Sequence, residues 1–155
     1  MPVEIERKFL VSSDGWRDGA SGISIRQGYL LRDADRTVRI RIAGESGFIT
    51  VKGRRGESGL ARAEFEYAIP LEDAEEMLRL CLPPLIEKTR HVVLHAGSRW
   101  EVDEFYGDNA GLIVAELELP SEDAEFEKPP WLGMEVSDDP RYFNSRLALH
   151  PFKSW

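Results

Sequence analysis

One cysteine, three histidines and no long apolar run set the first limits on this 155-residue chain. Cys81 has no partner within the chain, so no internal disulfide can form and a cytoplasmic setting is expected. No stretch approaches the roughly 20 apolar residues that span a bilayer. The charged opening, MPVEIERKFLV, lacks the basic-then-apolar signature of a secretory signal. Positive charge is also in short supply: 20 Lys and Arg against 28 Asp and Glu leave a net −8. That balance speaks against electrostatic binding to nucleic acid or to an acidic membrane. No Ser/His or Cys/His nucleophile arrangement is visible, and no histidine has ligand partners at metal-binding spacing. The length suits a single domain over residues 1–155.

What the chain has is charge arranged in period two. Strands are expected at about 3–11, 23–32, 37–43, 47–53, 61–69, 85–94, 98–106 and 112–119, from alternating apolar and polar residues. Gly44-Glu45-Ser46-Gly47 reads as a hairpin turn, and Gly53 to Gly59 as a longer loop that leaves Arg54 and Arg55 solvated. One helix is expected after Pro70, where Leu71, Ala74, Leu78 and Cys81 fall on one face and Pro83-Pro84 stops it. A short capped helix is expected at 121–125, and a last one from Asp138 or Asp139 to about Leu149. Eight sequential strands with few helices suggest an antiparallel sheet, closed or nearly closed into a barrel.

Within each strand the alternation sorts the charges to one face. Glu4, Glu6 and Lys8 share a face, as do Arg39 and Arg41, Arg62, Glu64 and Glu66, Lys88 and Arg90, Arg99, Glu101 and Asp103, and Glu116 and Glu118. Lys52 lies with Thr50 and Phe48, and Gln27 with Tyr29. A sheet with one wetted face would show the same alternation. Like-signed pairs two residues apart fit that picture less well, because neighbouring like charges repel. Turned inward, the carboxylate pairs suit a hard cation such as Mg2+ or Mn2+, and the Arg and Lys pairs suit phosphate oxygens. Charge is also divided along the chain, with 12 basic and 8 acidic residues in 1–62 but 8 basic and 20 acidic in 63–155.

The segments that carry these charges resemble the CYTH superfamily, the triphosphate tunnel metalloenzymes. EIERKFL carries the ExExK signature at Glu4, Glu6 and Lys8. RQGYL (26–30), VRIR (38–41), TVKG (50–53), ARAEFEY (61–67), EKTR (87–90), EVDEF (101–105) and AELEL (115–119) follow in order. WLGMEVSDDPRYFNSRLAL (131–149) is similar to the closing segment of short bacterial members. The resemblance implies an α+β, mainly β fold: an eight-stranded antiparallel closed β tunnel with a few outer helices, binding a triphosphate and a divalent metal.

By position it implies Glu4, Glu6, Glu64, Glu66, Asp103, Glu116 and Glu118 as metal-side carboxylates. It implies Lys8, Arg39, Arg41, Lys52, Arg62, Lys88 and Arg90 as substrate ligands, with Arg62 the weakest of these. Glu101 shares the phase of Asp103 but is expected at the rim and outside the set. Glu4, Glu6 and Lys88 are the expected catalytic residues, Lys88 by positioning water or the scissile phosphate. The expected reaction is metal-dependent hydrolysis of inorganic tripolyphosphate to phosphate and pyrophosphate by direct attack of water. Alternatives are a nucleoside or thiamine triphosphatase on the same fold, or a non-catalytic polyphosphate or nucleotide binder. His91 is expected in outer packing, and Trp100 and Trp131 in core or lip packing. Apolar outer sheet faces with few helices over them suggest a homodimer.

Overall fold

Alternating side chains give this chain mostly strands, and the computed structural model describes residues 3–155. The elements are β1 (Val3–Val11), β2 (Ser21–Arg32), β3 (Thr37–Ala43), β4 (Ser46–Arg55) and β5 (Ala61–Ile69). They continue with α1 (Leu71–Leu80), β6 (Leu82–His95), β7 (Ser98–Phe105), β8 (Ile113–Glu118), β9 (Leu132–Glu135) and the short α2 (Asn144–Leu147). Hydrogen bonding runs β5-β4-β3-β2-β6-β7-β8-β1, and β1 returns to β5. The closing contacts are Val3↔Ala63, Glu4↔Arg62 and Ile5↔Ala61. The result is a closed eight-stranded antiparallel barrel, which leaves few backbone groups on a free edge.

The ladder order fixes what faces what. β3 lies four strands from β8 in either direction, so Arg39 and Arg41 look across the lumen at Glu116 and Glu118. Neighbouring strands bring opposite signs together: Lys8↔Glu116, Arg90↔Asp103 and Lys52↔Glu64 are all in register. These cross-strand pairs offset part of the repulsion within a strand, although Glu6↔Glu118 and Glu101↔Glu116 still set like charges opposite each other.

The lumen changes character along its axis. Leu10, Ile86, Phe105 and Val114 continue the inward phase of Lys8, Lys88, Asp103 and Glu116, but they are apolar. They pack with Tyr142, Leu147 and Ala148 of the C-terminal segment. One end of the barrel is thus filled by an oily floor, while the charged half opens toward solvent.

Outside, α1 lies over β3 and β4. Its Ala74 and Leu78 are buried against Ile40 and Ile42, with Ile49 and Ile69 at the margin. Burial of a leucine of this kind contributes about 1.5–3 kcal/mol. Glu72 and Asp73 occupy its first turn, where the helix dipole favours negative charge. A second outer core joins Phe9, Trp16, Trp100, Val102, Leu117 and Trp131. Trp100 and Trp131 meet edge to face at 5.7 Å, and the His91 ring packs on Trp16 at 4.9 Å, so all three lie in packing outside the lumen.

Three expectations need correction, and one strand was not expected. Residues 121–125 form a turn, with Ala124 N–H donating to Ser121 C=O, and no helix. The Ser121 side chain donates to Asp123 instead of capping a helix. Pro83 and Pro84 fall inside β6, which begins at Leu82 opposite Tyr29; prolines are tolerated at the start of a strand. The last helix shrinks to a 3-10 turn at Pro140–Tyr142 followed by α2. Finally, β9 has no counterpart in the sequence reading. It takes the part of the β1 edge that β5 leaves free, through Phe9↔Glu135 and Val11↔Leu132.

Gly28 in β2 permits the close approach of the residues after α1. A Cβ there would lie 2.5 Å from Leu85 Cδ2 and 2.8 Å from Cys81 Cβ. Gly28→Ala is expected to cost about 1–3 kcal/mol, seen as a lower urea midpoint at constant slope. A midpoint equal to that of the parent would mean that this contact yields freely. Among the described residues no helix is long and apolar enough to cross a membrane.

Candidate active site

The inward faces of β1, β3, β4, β5, β6, β7 and β8 line a cavity of about 220 Å3. Glu4, Glu6, Lys8, Arg39, Arg41, Lys52, Glu64, Glu66, Arg90, Glu116 and Glu118 all reach its wall. The period-two phase of each strand puts them there, since the same strands turn their apolar residues to the outer cores.

The acidic wall, from β1, β5 and β8, holds two lysines. Lys8 Nζ lies 2.7 Å from Glu116 and 3.1 Å from Glu6. Lys52 Nζ lies 2.9 Å from Glu4 and 3.3 Å from Glu64. Burial works against the Lys8 ammonium, but Glu116 and Glu6 more than offset it and lift its pKa well above the ordinary lysine range. Burial is also the largest influence on Glu6, but Lys8, Lys52 and a hydrogen bond to Glu116 together outweigh it and hold the carboxyl low. Glu4 and Glu118 go the other way. Burial raises Glu4, with the Glu64 carboxylate adding to it against Lys52. Burial raises Glu118, with Glu4, Glu6 and Glu101 all adding to it. This wall therefore carries more negative charge than its two lysines neutralise.

The opposite wall has the reverse imbalance. Arg39 donates to Thr50 Oγ1 at 3.2 Å and to Glu66 at 3.4 Å, and its buried Nε has no partner. Arg41 donates to Gln27 Oε1 at 2.8 Å and makes no ion pair among the described residues. Burial, with Arg39 and Arg90 beside it, pushes the Arg41 pKa down, so an arriving anion would relieve it.

Lys88 and Asp103 lie behind the cavity wall, each with no exposed side-chain surface. Asp103 accepts from Arg90 Nε at 2.8 Å, from Arg90 Nη2 at 2.9 Å and from Lys88 Nζ at 2.7 Å. Burial alone would raise this carboxyl, yet Arg90 and Lys88 hold it below the ordinary range. Burial pushes Lys88 down, to about 7, against the pull of Asp103. The paired Arg90 fork and Lys88 leave Asp103 little capacity for a further cation. Arg62 lies toward the floor, donating to Gly53 C=O through Nε at 3.0 Å and Nη2 at 2.8 Å.

Several residues at the site escape the strand pattern. Asn144 of α2 accepts from Lys88 Nζ at 3.0 Å and from Gln27 Nε2 at 3.1 Å, so the C-terminal segment reaches the charged chamber. Nothing periodic marks it in the sequence. Arg55 is not solvated in a loop. An irregularity between Lys52 and Arg55 turns it inward, 3.8 Å from the Phe143 ring centroid. Arg54 is the solvated one, with its side chain 78% exposed. Glu101 lies near the mouth yet lines the cavity, within 3.4 Å of Arg90 and 3.1 Å of Arg99. Its shared phase with Asp103 is the signal that could have included it.

The donors available to a metal are all carboxylate oxygens, which select a hard dication. Among the described residues no three acidic side chains stand close enough to cage one alone. A magnesium-like ion needs no such cage, because it binds through one or two carboxylates plus substrate phosphates and waters.

Comparison with known proteins adds to this geometry. The CYTH domain family model matches residues 2–143. An inorganic triphosphatase of Acetivibrio thermocellus is 49% identical, covering 100% of this chain and 99% of its own length. An inorganic triphosphatase of Nitrosomonas europaea is 40% identical over 94% of this chain and 97% of its own. A crystal structure of an inorganic triphosphatase superposes with a TM-score of 0.67 at 37% identity, covering 96% of each chain.

Proposed function

The chain belongs to the CYTH domain family, and from that premise we propose that it is a metal-dependent inorganic triphosphatase. It would cleave tripolyphosphate to phosphate and pyrophosphate within a single domain. The observation that carries this reading is the pairing inside the lumen: two lysines sit between glutamates, facing arginines that lack full partners.

That pairing gives a route for binding by exchange. Arg39, Arg41 and Arg90 attract the polyphosphate, and Lys8 and Lys52 move from carboxylate to phosphate oxygens. The released carboxylates of Glu4, Glu6, Glu64 and Glu116, with Glu118, which makes no ion pair among the described residues, would then be free to hold the divalent ion. When bound, that ion, Mg2+ or Mn2+, offsets phosphate charge and acidifies a bound water. Glu66, tied to Thr50 and Arg39, orients the arginine. Asp103 anchors Arg90 and Lys88 and takes no metal. Lys88, buried behind the wall, would act through Asn144, which accepts from it and lines the cavity, to orient the attacking water or the scissile phosphate. Basic groups around the leaving pyrophosphate stabilise charge as the bond breaks.

The exposed Val51 and Tyr67 on the outer faces of β4 and β5 support the homodimer reading. The lone cysteine supports a cytoplasmic one.

Phosphate release from tripolyphosphate, pyrophosphate, ATP and thiamine triphosphate tests the assignment. Tripolyphosphate with Mg2+ or Mn2+ is expected to give the fastest release, and chelator to abolish it until metal is restored. Faster release from ATP or thiamine triphosphate would move the assignment to an organic triphosphate. Saturable tripolyphosphate binding without release would make the protein a sensor.

A further inference from the structure

At the floor end, the C-terminal segment leaves a cleft against the rim of β2 to β5, with a volume of about 350 Å3. Arg32, Arg54, Arg55, Arg62 and Arg146 line it. The one carboxylate there, Asp33, already accepts from the Asp35 N–H at 2.8 Å and the Arg36 N–H at 2.9 Å.

The contrast with the lumen is chemical. There Lys8, Lys52, Lys88 and Arg90 are all held by carboxylates. In the cleft Arg32, Arg55, Arg62 and Arg146 form no ion pair among the described residues, and Arg32 Nη1 is buried without a partner. Arg54 reaches Asp35 only at 3.7 Å. Pro140, Phe143 and Leu149 form an apolar wall opposite, which lowers the local dielectric and strengthens attraction to an anion. A smaller cavity lined by Arg55, Arg62 and Phe143 also touches Lys8, Arg39 and Lys52, so it lies between the cleft and the charged chamber.

We propose that this cleft is a second oxyanion site that binds a phosphate group, either free orthophosphate or the far end of a condensed phosphate longer than three units. The arginines supply planar forks for phosphate oxygens, and their mutual repulsion falls when the anion arrives.

Two measurements on the full chain test this. First, orthophosphate is titrated calorimetrically, without metal, into the Arg39→Ala/Arg41→Ala variant, whose chamber holds anions weakly. Saturable binding is expected, and adding Arg32→Gln/Arg146→Gln should weaken it by about tenfold or more. Second, kcat/KM is compared for linear tetraphosphate and tripolyphosphate in the Arg32→Gln/Arg146→Gln variant alone. A fall in the tetraphosphate-to-tripolyphosphate ratio by about threefold or more identifies the chain end as the occupant. Loss of orthophosphate binding with an unchanged ratio identifies the free anion. If the cleft substitutions alter neither quantity, the second site does not exist. The calorimetric arm needs no turnover. Orthophosphate binding at the cleft with no release from tripolyphosphate would overturn the triphosphatase reading and leave this one standing.

Discussion

Glu6→Gln is expected to lower tripolyphosphate turnover by about two to three orders of magnitude while leaving the barrel folded. The exchange is nearly isosteric and removes one charge from the acidic wall. Glu6 faces Glu118 across the β1–β8 ladder and shares Lys8 with Glu116. In the free protein the loss is small, because Lys8 keeps its shorter contact to Glu116 at 2.7 Å. With substrate present the loss is large. Once Lys8 turns to phosphate, the Glu6 carboxylate would be free to hold a dication together with phosphate oxygens and waters, and an amide oxygen carries no net charge to hold it. Raising metal concentration should recover part of the rate. A thermal midpoint near that of the parent, with turnover down a hundredfold, is the result that supports this. Turnover within a factor of about three of the parent at limiting metal would remove Glu6 from the metal set.

The same residue shows why so much of the site is legible in the chain. In a strand a side chain's direction follows from parity, so Glu4, Glu6 and Lys8 must share a face whatever else the fold does. Eight strands with consistent parity, and a charge at nearly every inward position, leave little freedom once the sheet closes. Closure itself is not written in parity, because a wetted sheet alternates in the same way; family resemblance supplied it. Parity also says nothing of depth. Asp103 and Glu101 share a phase, yet Asp103 lies sealed behind the wall and Glu101 near the mouth.

Parity fails where the backbone leaves its register. The irregularity between Lys52 and Arg55 brings Arg55 inward, between Gly53 and Gly56, in a stretch that reads as loop. The segment from 119 to 149 is held by packing against cores that other strands create, as with Phe126 at 5.7 Å from Trp100. No local period encodes that arrangement, so β9, the turn at 121–125 and the position of Asn144 were out of reach.

Asp103→Ala is expected to destabilise the fold by about 3–5 kcal/mol, because it strips the counter-charge from two buried cations at once. Lys88 would keep only Asn144 at 3.0 Å, and Arg90 only its longer contacts to Glu101 at 3.4 Å and Glu116 at 3.6 Å. For a chain of this size the melting temperature should fall by about 10 °C or more. Adding Lys88→Met should restore part of that loss, since an apolar side chain of similar length needs no partner in a dry site. The acid limb gives an independent check. Asp103 titrates below its ordinary value of 3.8 when folded. As pH falls below that value the unfolded chain takes up the proton first, so this contribution, complete at neutral pH, is lost progressively toward acid. In Asp103→Ala the urea midpoint should therefore change less steeply with pH below about 4. A loss under about 1 kcal/mol at pH 7, with an unaltered acid limb, would mean that solvent reaches Lys88 and Arg90. The charged chamber would then need no anchor beneath it.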